Sequence, residues 1–127
     1  MADLSGGAGD DIIIGGLFHS FGTDQDGGEG NDRMIGAGYG DDDMFGGPGD
    51  DYMFGKGGSD EMDGGTGDDI LKAGSLAGGG TDVLRGGAGN DKLYGSFDAF
   101  ARAVGAGAFK YLYGDEGDDI MHGAFLT

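Results

Sequence analysis

Residues 46–72 read GGPGDDYMF, GKGGSDEMD and GGTGDDILK, three consecutive nonapeptides with one shared pattern. In each unit, six residues rich in Gly and Asp are followed by three residues with a large aliphatic side chain in the middle. Glycine is favoured where a turn needs positive φ, and side chains alternate between the two faces of a strand. The stretch therefore predicts a turn and a short strand in each unit, with the middle strand residue pointing inward.

Six further units with this pattern lie at residues 6–14, 27–35, 37–45, 77–85, 86–94 and 114–122, which brings the total to nine. All nine have Gly or Ala at the first position. The sixth position is always Asp: Asp11, Asp32, Asp42, Asp51, Asp60, Asp69, Asp82, Asp91 and Asp119. The eighth is always a large aliphatic residue: Ile13, Met34, Met44, Met53, Met62, Leu71, Leu84, Leu93 and Met121. This regularity argues against a low-complexity linker, in spite of 34 glycines among 127 residues.

The charge of the chain narrows the choice of partners. The formal net charge is −17, from 24 acidic and 7 basic residues. It disfavours nucleic acid and anionic membrane surfaces, because like charges repel, and no apolar run is long enough for membrane insertion. Most of the acidic residues are Asp placed beside Gly, an arrangement that a solvated surface does not need but a hard-cation site does.

The nine units resemble the RTX nonapeptide family, whose pattern GGxGxDxUx is found in exported bacterial toxins, proteases, lipases and adhesins. The resemblance implies an all-β fold, a right-handed parallel β-roll (a β-solenoid) with two nonapeptides in each coil. It also implies Ca²⁺ between stacked turns. We expect residues 1–127 to form one such domain, interrupted at residues 15–26, 73–76 and 95–113.

The residues themselves account for a calcium requirement. Turn glycines bring backbone carbonyl oxygens close together, and Ca²⁺ takes about 6–8 oxygen ligands from carbonyls and carboxylates. A sixth-position Asp has two oxygens and can serve the ion on either side, while the acidic or Asn fifth position adds indirect support. The predicted ligands are the nine sixth-position Asp side chains and the turn residues Gly6, Gly9, Gly27, Gly30, Gly38, Gly40, Gly46, Gly49, Gly55, Gly58, Gly64, Gly67, Gly78, Gly80, Gly86, Gly89 and Gly117.

The stack can be counted if the irregular segments are taken as degenerate half-coils. Residues 15–26, 95–104 and 105–113 then complete twelve half-coils, or about six coils, with residues 114–122 as the twelfth. Alternate turns lie on the same side. Asp11, Asp32, Asp51, Asp69 and Asp91 are expected on one side and Asp42, Asp60 and Asp82 on the other. About six or more Ca²⁺ ions would cancel roughly twelve of the negative charges, and the thin aliphatic core predicts folding only with metal.

The interruptions leave several alternatives open. Ser96 begins either a short helix with one apolar face or a loop packed on the roll. Lys110 stands where Asp is expected, so that unit is not predicted to bind metal. His19 and His122 are either surface residues or zinc ligands. Residues 73–76 are expected to form a surface bulge.

No enzymatic motif is present: the sequence lacks HExxH, G-x-S-x-G and Cys. We therefore expect a non-catalytic, structural and extracellular calcium-binding protein. Many apolar outward strand positions favour head-to-tail assembly into a Ca²⁺-dependent filament or surface layer. The alternative is a C-terminal folding and type I secretion module of a larger exported enzyme, toxin or adhesin, with residues 123–127 as part of the signal.

Overall fold

The computed structural model describes residues 2–16, 21–74, 80–95 and 110–122. This part of the chain contains twelve β-strands. They are β1 (Ala2–Ala8), β2 (Ile12–Ile14), β3 (Thr23–Glu29), β4 (Arg33–Ile35), β5 (Asp43–Pro48), β6 (Tyr52–Phe54), β7 (Glu61–Thr66), β8 (Ile70–Lys72), β9 (Asp82–Ala88), β10 (Lys92–Tyr94), β11 (Lys110–Glu116) and β12 (Ile120–His122). Within the described residues, no helix suited to crossing a membrane is found.

The strands form two parallel sheets, and successive strands along the chain belong to the two sheets in turn. The odd-numbered strands make one six-stranded sheet, called sheet A, and the even-numbered strands make the other, called sheet B. Equivalent positions of successive coils face each other: Met44 pairs with Met62 in sheet A, and Met53 pairs with Leu71 in sheet B. Because each coil gives one strand to each sheet, the all-β parallel β-solenoid with two repeats per coil is confirmed.

A single column of eighth-position side chains fills the space between the sheets. Met34, Met53, Met62, Leu71, Leu84 and Leu93 are fully buried, Ile13 and Met44 nearly so, and Leu4 and Leu112 pack against them near the two ends. Met121 was expected in this core but is 51% exposed, since β12 is the edge strand of sheet B. In the second coil, the inward position of the sheet A strand β3 is occupied by Gln25, which is buried and which the repeat pattern did not predict.

Sheet A strands are longer than the repeat predicts. They have six or seven residues, whereas each sheet B strand has three. Their pairing continues into the first turn positions, as in Gly47 opposite Gly65 and Pro48 opposite Thr66. The turns that leave sheet A are therefore held by backbone hydrogen bonds between coils.

The count of half-coils is made up differently from the prediction. Strand β1 begins before the first recognised repeat, overlaps its first three residues and was not expected. Among the described residues of the segment 95–113, one strand is found, β11, where two half-coils were expected. Strand β12 therefore pairs with β10 in sheet B. The second half of the irregular segment 15–26 is regular: Thr23 begins β3. His19, Ser75 and Leu76 of the predicted bulge, the predicted helix or loop from Ser96, and residues 123–127 lie outside the described residues.

Candidate calcium-binding turns

The sixth-position aspartates form two columns along the axis of the solenoid. In the first column, the backbone N–H of each Asp donates to Oδ1 of the Asp one coil further on. The distances are 2.7 Å from Asp32 to Asp51 and from Asp51 to Asp69. The full column contains Asp11, Asp32, Asp51, Asp69, Asp91 and Asp119. Its members are thus linked directly to one another, coil by coil.

The second column lies at the turns that enter sheet A. Asp42 N–H donates to Asp60 Oδ1 at 3.0 Å, and Asp60 N–H donates to Asp82 Oδ1 at 2.9 Å. The predicted division between two sides is therefore found for eight of the aspartates. Asp119 was not assigned to a side, and as the twelfth half-coil it would fall with Asp42; instead, Asp91 N–H donates to Asp119 Oδ1 at 2.9 Å, which places Asp119 in the first column.

Thr23 begins the second column in place of an aspartate. Its N–H and its hydroxyl both donate to Asp42 Oδ1, at 2.7 and 2.8 Å. The amide of Gln25 donates to the Thr23 hydroxyl oxygen at 3.0 Å and to the Ile35 carbonyl at 2.9 Å. Neutral groups thus occupy this first turn, which explains how a segment without the repeat pattern still fits the coil.

The fifth-position residues form ladders that run in the opposite direction. Asn31 N–H donates to Asp10 Oδ1 at 2.9 Å, and Asp50 N–H donates to Asn31 Oδ1 at 2.8 Å. The same contacts link Asp50, Asp68, Asn90 and Asp118 on this side, and Asp41, Ser59 and Thr81 on the other. The sequence suggested an indirect role at the metal, but the contact seen here is a link between coils.

One carboxylate oxygen in most turns of the first column accepts no hydrogen bond. Oδ2 of Asp11, Asp32, Asp51, Asp69 and Asp91 is buried and lacks a hydrogen-bond partner in the structure. Burying a charged oxygen without a partner is costly, and native proteins rarely tolerate it unless an ion or water compensates. Repetition of the same atom in successive coils indicates a recurrent ligand position.

Glycine at the first turn position keeps the space beside this oxygen open. A Cβ added to Gly27 would lie 2.5 Å from Asp32 Oδ2 and 2.6 Å from the Gly46 carbonyl oxygen. Any side chain there would fill the region that the carboxylate shares with the carbonyl of the next coil. Oxygen atoms from a carboxylate and a backbone carbonyl therefore meet in each such turn, the ligand type that Ca²⁺ prefers.

Burial makes the ionised carboxylates unfavourable on their own. It raises the pKa of Asp69 to about 7, with further increases from the neighbouring Asp51 and Asp91. Burial likewise raises the pKa of Asp51 to about 6, and raises the pKa of Asp42 and of Asp91. A cation among these groups would favour the ionised form and so compensate for the desolvation.

Side chains alone do not build a metal centre. Among the described residues, no three His, Asp or Glu side chains are grouped closely enough to hold an ion. Backbone carbonyls must therefore supply most of the ligands of any bound ion. His122 lies on the outer face of sheet B, where its ring stacks on Tyr94 at 5.3 Å, and His19 lies outside the described residues.

The structure also places two turn residues that the sequence alignment missed. Gly36, not Ala37, begins the turn before Asp42, since its N–H donates to Phe54 O just as Gly55 N–H donates to Lys72 O. Ala73 takes the same place in the coil that follows Gly55, where Ala77 was expected. The six-residue template hid both because these turns contain extra residues. Of the predicted turn glycines, Gly78 alone lies outside the described residues.

A parallel solenoid with recurrent buried carboxylates and glycine-lined turns defines a calcium-binding repeat protein. The family model of the RTX calcium-binding nonapeptide repeat matches residues 3–21, 26–38, 37–71, 76–99 and 111–125. The chain belongs to this family, whose repeats bind Ca²⁺. No curated protein and no solved structure matches the chain.

Proposed function

We propose that the chain is a structural, non-catalytic β-roll that folds when Ca²⁺ occupies its turns. The buried, unpartnered Oδ2 atoms of the first Asp column carry this proposal. The nine sixth-position aspartates and the turn carbonyls would hold about six ions. The ion supplies positive charge between coils, and the whole chain acts as one domain.

A calcium titration followed by circular dichroism tests coupled folding. Strand signal should be low in chelator and should rise cooperatively with Ca²⁺, while calorimetry counts the ions. Asp69→Asn should raise the Ca²⁺ midpoint about tenfold and remove one ion, because it takes away an anionic ligand.

The matched control is Asp68→Asn, one residue away. Asn keeps the acceptor that Asn90 N–H uses at 2.9 Å, as Asn31 and Asn90 do naturally in the same ladder. Its Ca²⁺ midpoint should stay within about twofold of the unmodified protein. Equal effects of the two substitutions, or full strand content in chelator, would contradict the proposal.

An extracellular location is part of the proposal. Extracellular calcium modules bind in the range of about 10⁻⁴–10⁻³ M, a concentration that a cytosol does not reach. The family match supports the same location. Fractionation of the producing cells tests it: recovery of the folded protein only from the cytosol would contradict it.

End-to-end assembly into a filament or surface layer follows from the edges of the sheets. The edge strands β1, β2, β11 and β12 carry backbone groups that another coil can pair with, and Met121 exposes half of its surface beside them. Electron micrographs at millimolar Ca²⁺ should contain rods longer than one subunit, about 29 Å for six coils at about 4.8 Å each. Discrete particles of one subunit would exclude this assembly.

The second candidate is a calcium-folding and secretion module of a larger exported protein, which the family match favours. In that case, fusing the chain to a reporter should direct export and calcium-triggered folding of the fusion. Export that continues after removal of residues 123–127 would exclude them as a signal.

A further inference from the structure

The outer face of sheet B differs in charge from the rest of the molecule. Twelve side chains of the even-numbered strands point outward here, and none of them is acidic. They are Ile12, Ile14, Arg33, Ile35, Tyr52, Phe54, Ile70, Lys72, Lys92, Tyr94, Ile120 and His122. Three of the chain's 7 basic residues lie on this surface, which we call the basic face. In a chain of net charge −17, it is locally positive.

Contacts between cations and aromatic rings connect the side chains of this surface. The Arg33 guanidinium lies 5.1 Å from the centre of the Tyr52 ring, and the Lys72 ammonium lies 5.3 Å from the same centre. Lys72 also lies 5.7 Å from the Tyr94 ring, which stacks on His122 at 5.3 Å. The stack crosses five strands, so these long side chains are ordered before any partner arrives, which lowers the entropic cost of binding.

The outer face of sheet A carries the opposite charge over its first four strands. Its outward carboxylates surround Phe45, which is 46% exposed, in an open groove of about 570 Å³. They are Asp3, Asp24, Asp26, Asp43, Glu61 and Asp63, which we call the acidic strip. Asp24 faces Asp43, and Asp43 faces Glu61, in adjacent strands. Like charges in this register repel, so a positive partner would stabilise the strip.

We infer that the basic face of one copy docks side by side on the acidic strip of a second copy. The charges are complementary, and both surfaces repeat at the same coil spacing of about 4.8 Å, so rows of opposite charge can face each other over several coils. The two surfaces lie on opposite outer faces of the solenoid. The contact is therefore heterologous, and it extends into rows of molecules instead of closing into a dimer. It presupposes the calcium-loaded roll proposed above, but not end-to-end stacking.

The size of the surfaces places this contact among weak interactions. Twelve outward side chains are fewer than the 20–30 residues per partner of a standard interface. Docking by charge should also weaken with salt, because exposed charges are screened within about 8 Å at physiological ionic strength. Association should therefore be detected at high protein concentration and low salt.

A charge swap tests the inference by sedimentation velocity in saturating Ca²⁺. Arg33→Glu/Lys92→Glu changes the charge of the basic face from +3 to −1, and Asp26→Lys/Glu61→Lys changes that of the acidic strip from −6 to −2; all four residues are exposed. Each double variant alone should associate at least tenfold more weakly than the unmodified protein. An equal mixture of the two should recover pairwise association to within about threefold, since the unaltered acidic strip of the first variant can dock on the unaltered basic face of the second.

Lys56→Glu/Arg85→Glu is the control, with the same change in net charge away from the basic face. Arg85 faces Asp63 of the acidic strip in the adjacent strand, so this variant should associate at least as strongly as the unmodified protein. Circular dichroism with Ca²⁺ establishes that every variant folds, which separates failure of docking from failure of the calcium proposal. In electron micrographs, the two face variants should lose lateral rows while any end-to-end rods remain.

Three results would overturn the docking. They are a monomeric unmodified protein at all concentrations in low salt, undiminished association of either double variant, and a mixture of folded variants that fails to associate.

Discussion

Acidifying a chelator-treated sample from about pH 8 to about pH 5 should increase its strand content, the reverse of ordinary acid unfolding. Asp69 and Asp51 are buried in the solenoid, where their pKa values rise from 3.8 to about 7 and about 6. The folded chain therefore holds these protons more tightly than the unfolded chain does. The resulting stability is fully present below pH 3.8 and is lost as the pH rises through about 6 to 7.

The size of the effect follows from the two pKa values. Each pH unit between the raised pKa and the final pH of about 5 corresponds to about 1.4 kcal/mol, so the acidification contributes about 3 kcal/mol through Asp69 and about 1 kcal/mol through Asp51. Asp42 and Asp91 add in the same direction. Since whole domains are stable by only about 5–15 kcal/mol, this is enough to change a mostly unfolded chain into a partly folded one.

Far-ultraviolet circular dichroism against pH, in excess chelator and at low protein concentration, measures the change. Asp51→Asn/Asp69→Asn keeps both hydrogen-bond acceptors but removes both titrating groups, so its strand content should be higher at pH 8 and should change less on acidification. Asp50→Asn/Asp68→Asn alters the net charge equally at exposed fifth positions and should keep most of the pH dependence, because the charge of Asp50 is the weakest of the causes that raise the pKa values of Asp51 and Asp69.

With Ca²⁺ present, the dependence on pH should reverse. Calcium needs ionised carboxylates, so the Ca²⁺ midpoint should rise as the pH falls below about 7. Loss of strand content on acidifying the chelated protein, or identical titrations of the two double variants, would refute the assignment of the buried carboxylates.

Five further substitutions have expected directions. Gly46→Ala should raise the Ca²⁺ midpoint at least tenfold, because the added Cβ meets a turn carboxylate and a carbonyl. In Gly7→Ala the added Cβ meets no atom within 4 Å, so this variant should show only the strain of its positive φ, about 1 kcal/mol. Lys56→Gly should stabilise the loaded protein by about 0.5 kcal/mol in thermal unfolding, because Lys56 has φ 76°. Leu71→Ala should lower the free energy of urea unfolding with Ca²⁺ by about 2–5 kcal/mol, because Leu71 is buried. Met121→Ala should lower it by less than about 1 kcal/mol, because Met121 is exposed.

The periodicity of the sequence was sufficient to predict the strands of the nine repeats, most of the core and the positions of eight aspartates in the two columns. A strand of three residues has one inward position, so Met53 and Leu71 could be placed without coordinates. Asp119 could not be placed from length: residues 95–113 are long enough for two nonapeptides, whereas among the described residues only one strand, β11, lies between β10 and β12. Gln25 could not be assigned to the core because its burial depends on hydrogen bonds to Thr23 and Ile35.

The direction of the hydrogen-bond ladders could not be predicted from the sequence either. Asp50 and Asp51 are adjacent and chemically identical, yet the side chain of Asp51 accepts from the coil before it and that of Asp50 from the coil after it. The difference arises from opposite side-chain orientations at the two turn positions. An alignment records only that both positions favour oxygen-bearing side chains.

The opposed ladders have a consequence for how the solenoid folds. In an inner turn, the sixth-position N–H needs a carboxylate from the following coil, as Asp51 uses Asp69, while the fifth-position N–H needs an acceptor from the preceding coil, as Asp50 uses Asn31. Both N–H groups of a turn therefore find acceptors only when the preceding coil and the following coil have formed. Stability in such a stack resides in the interfaces between repeats, and a single coil cannot form alone. A cation shared between turns adds to the same interfaces, so calcium binding should be cooperative along the axis even where each ion contacts only two coils.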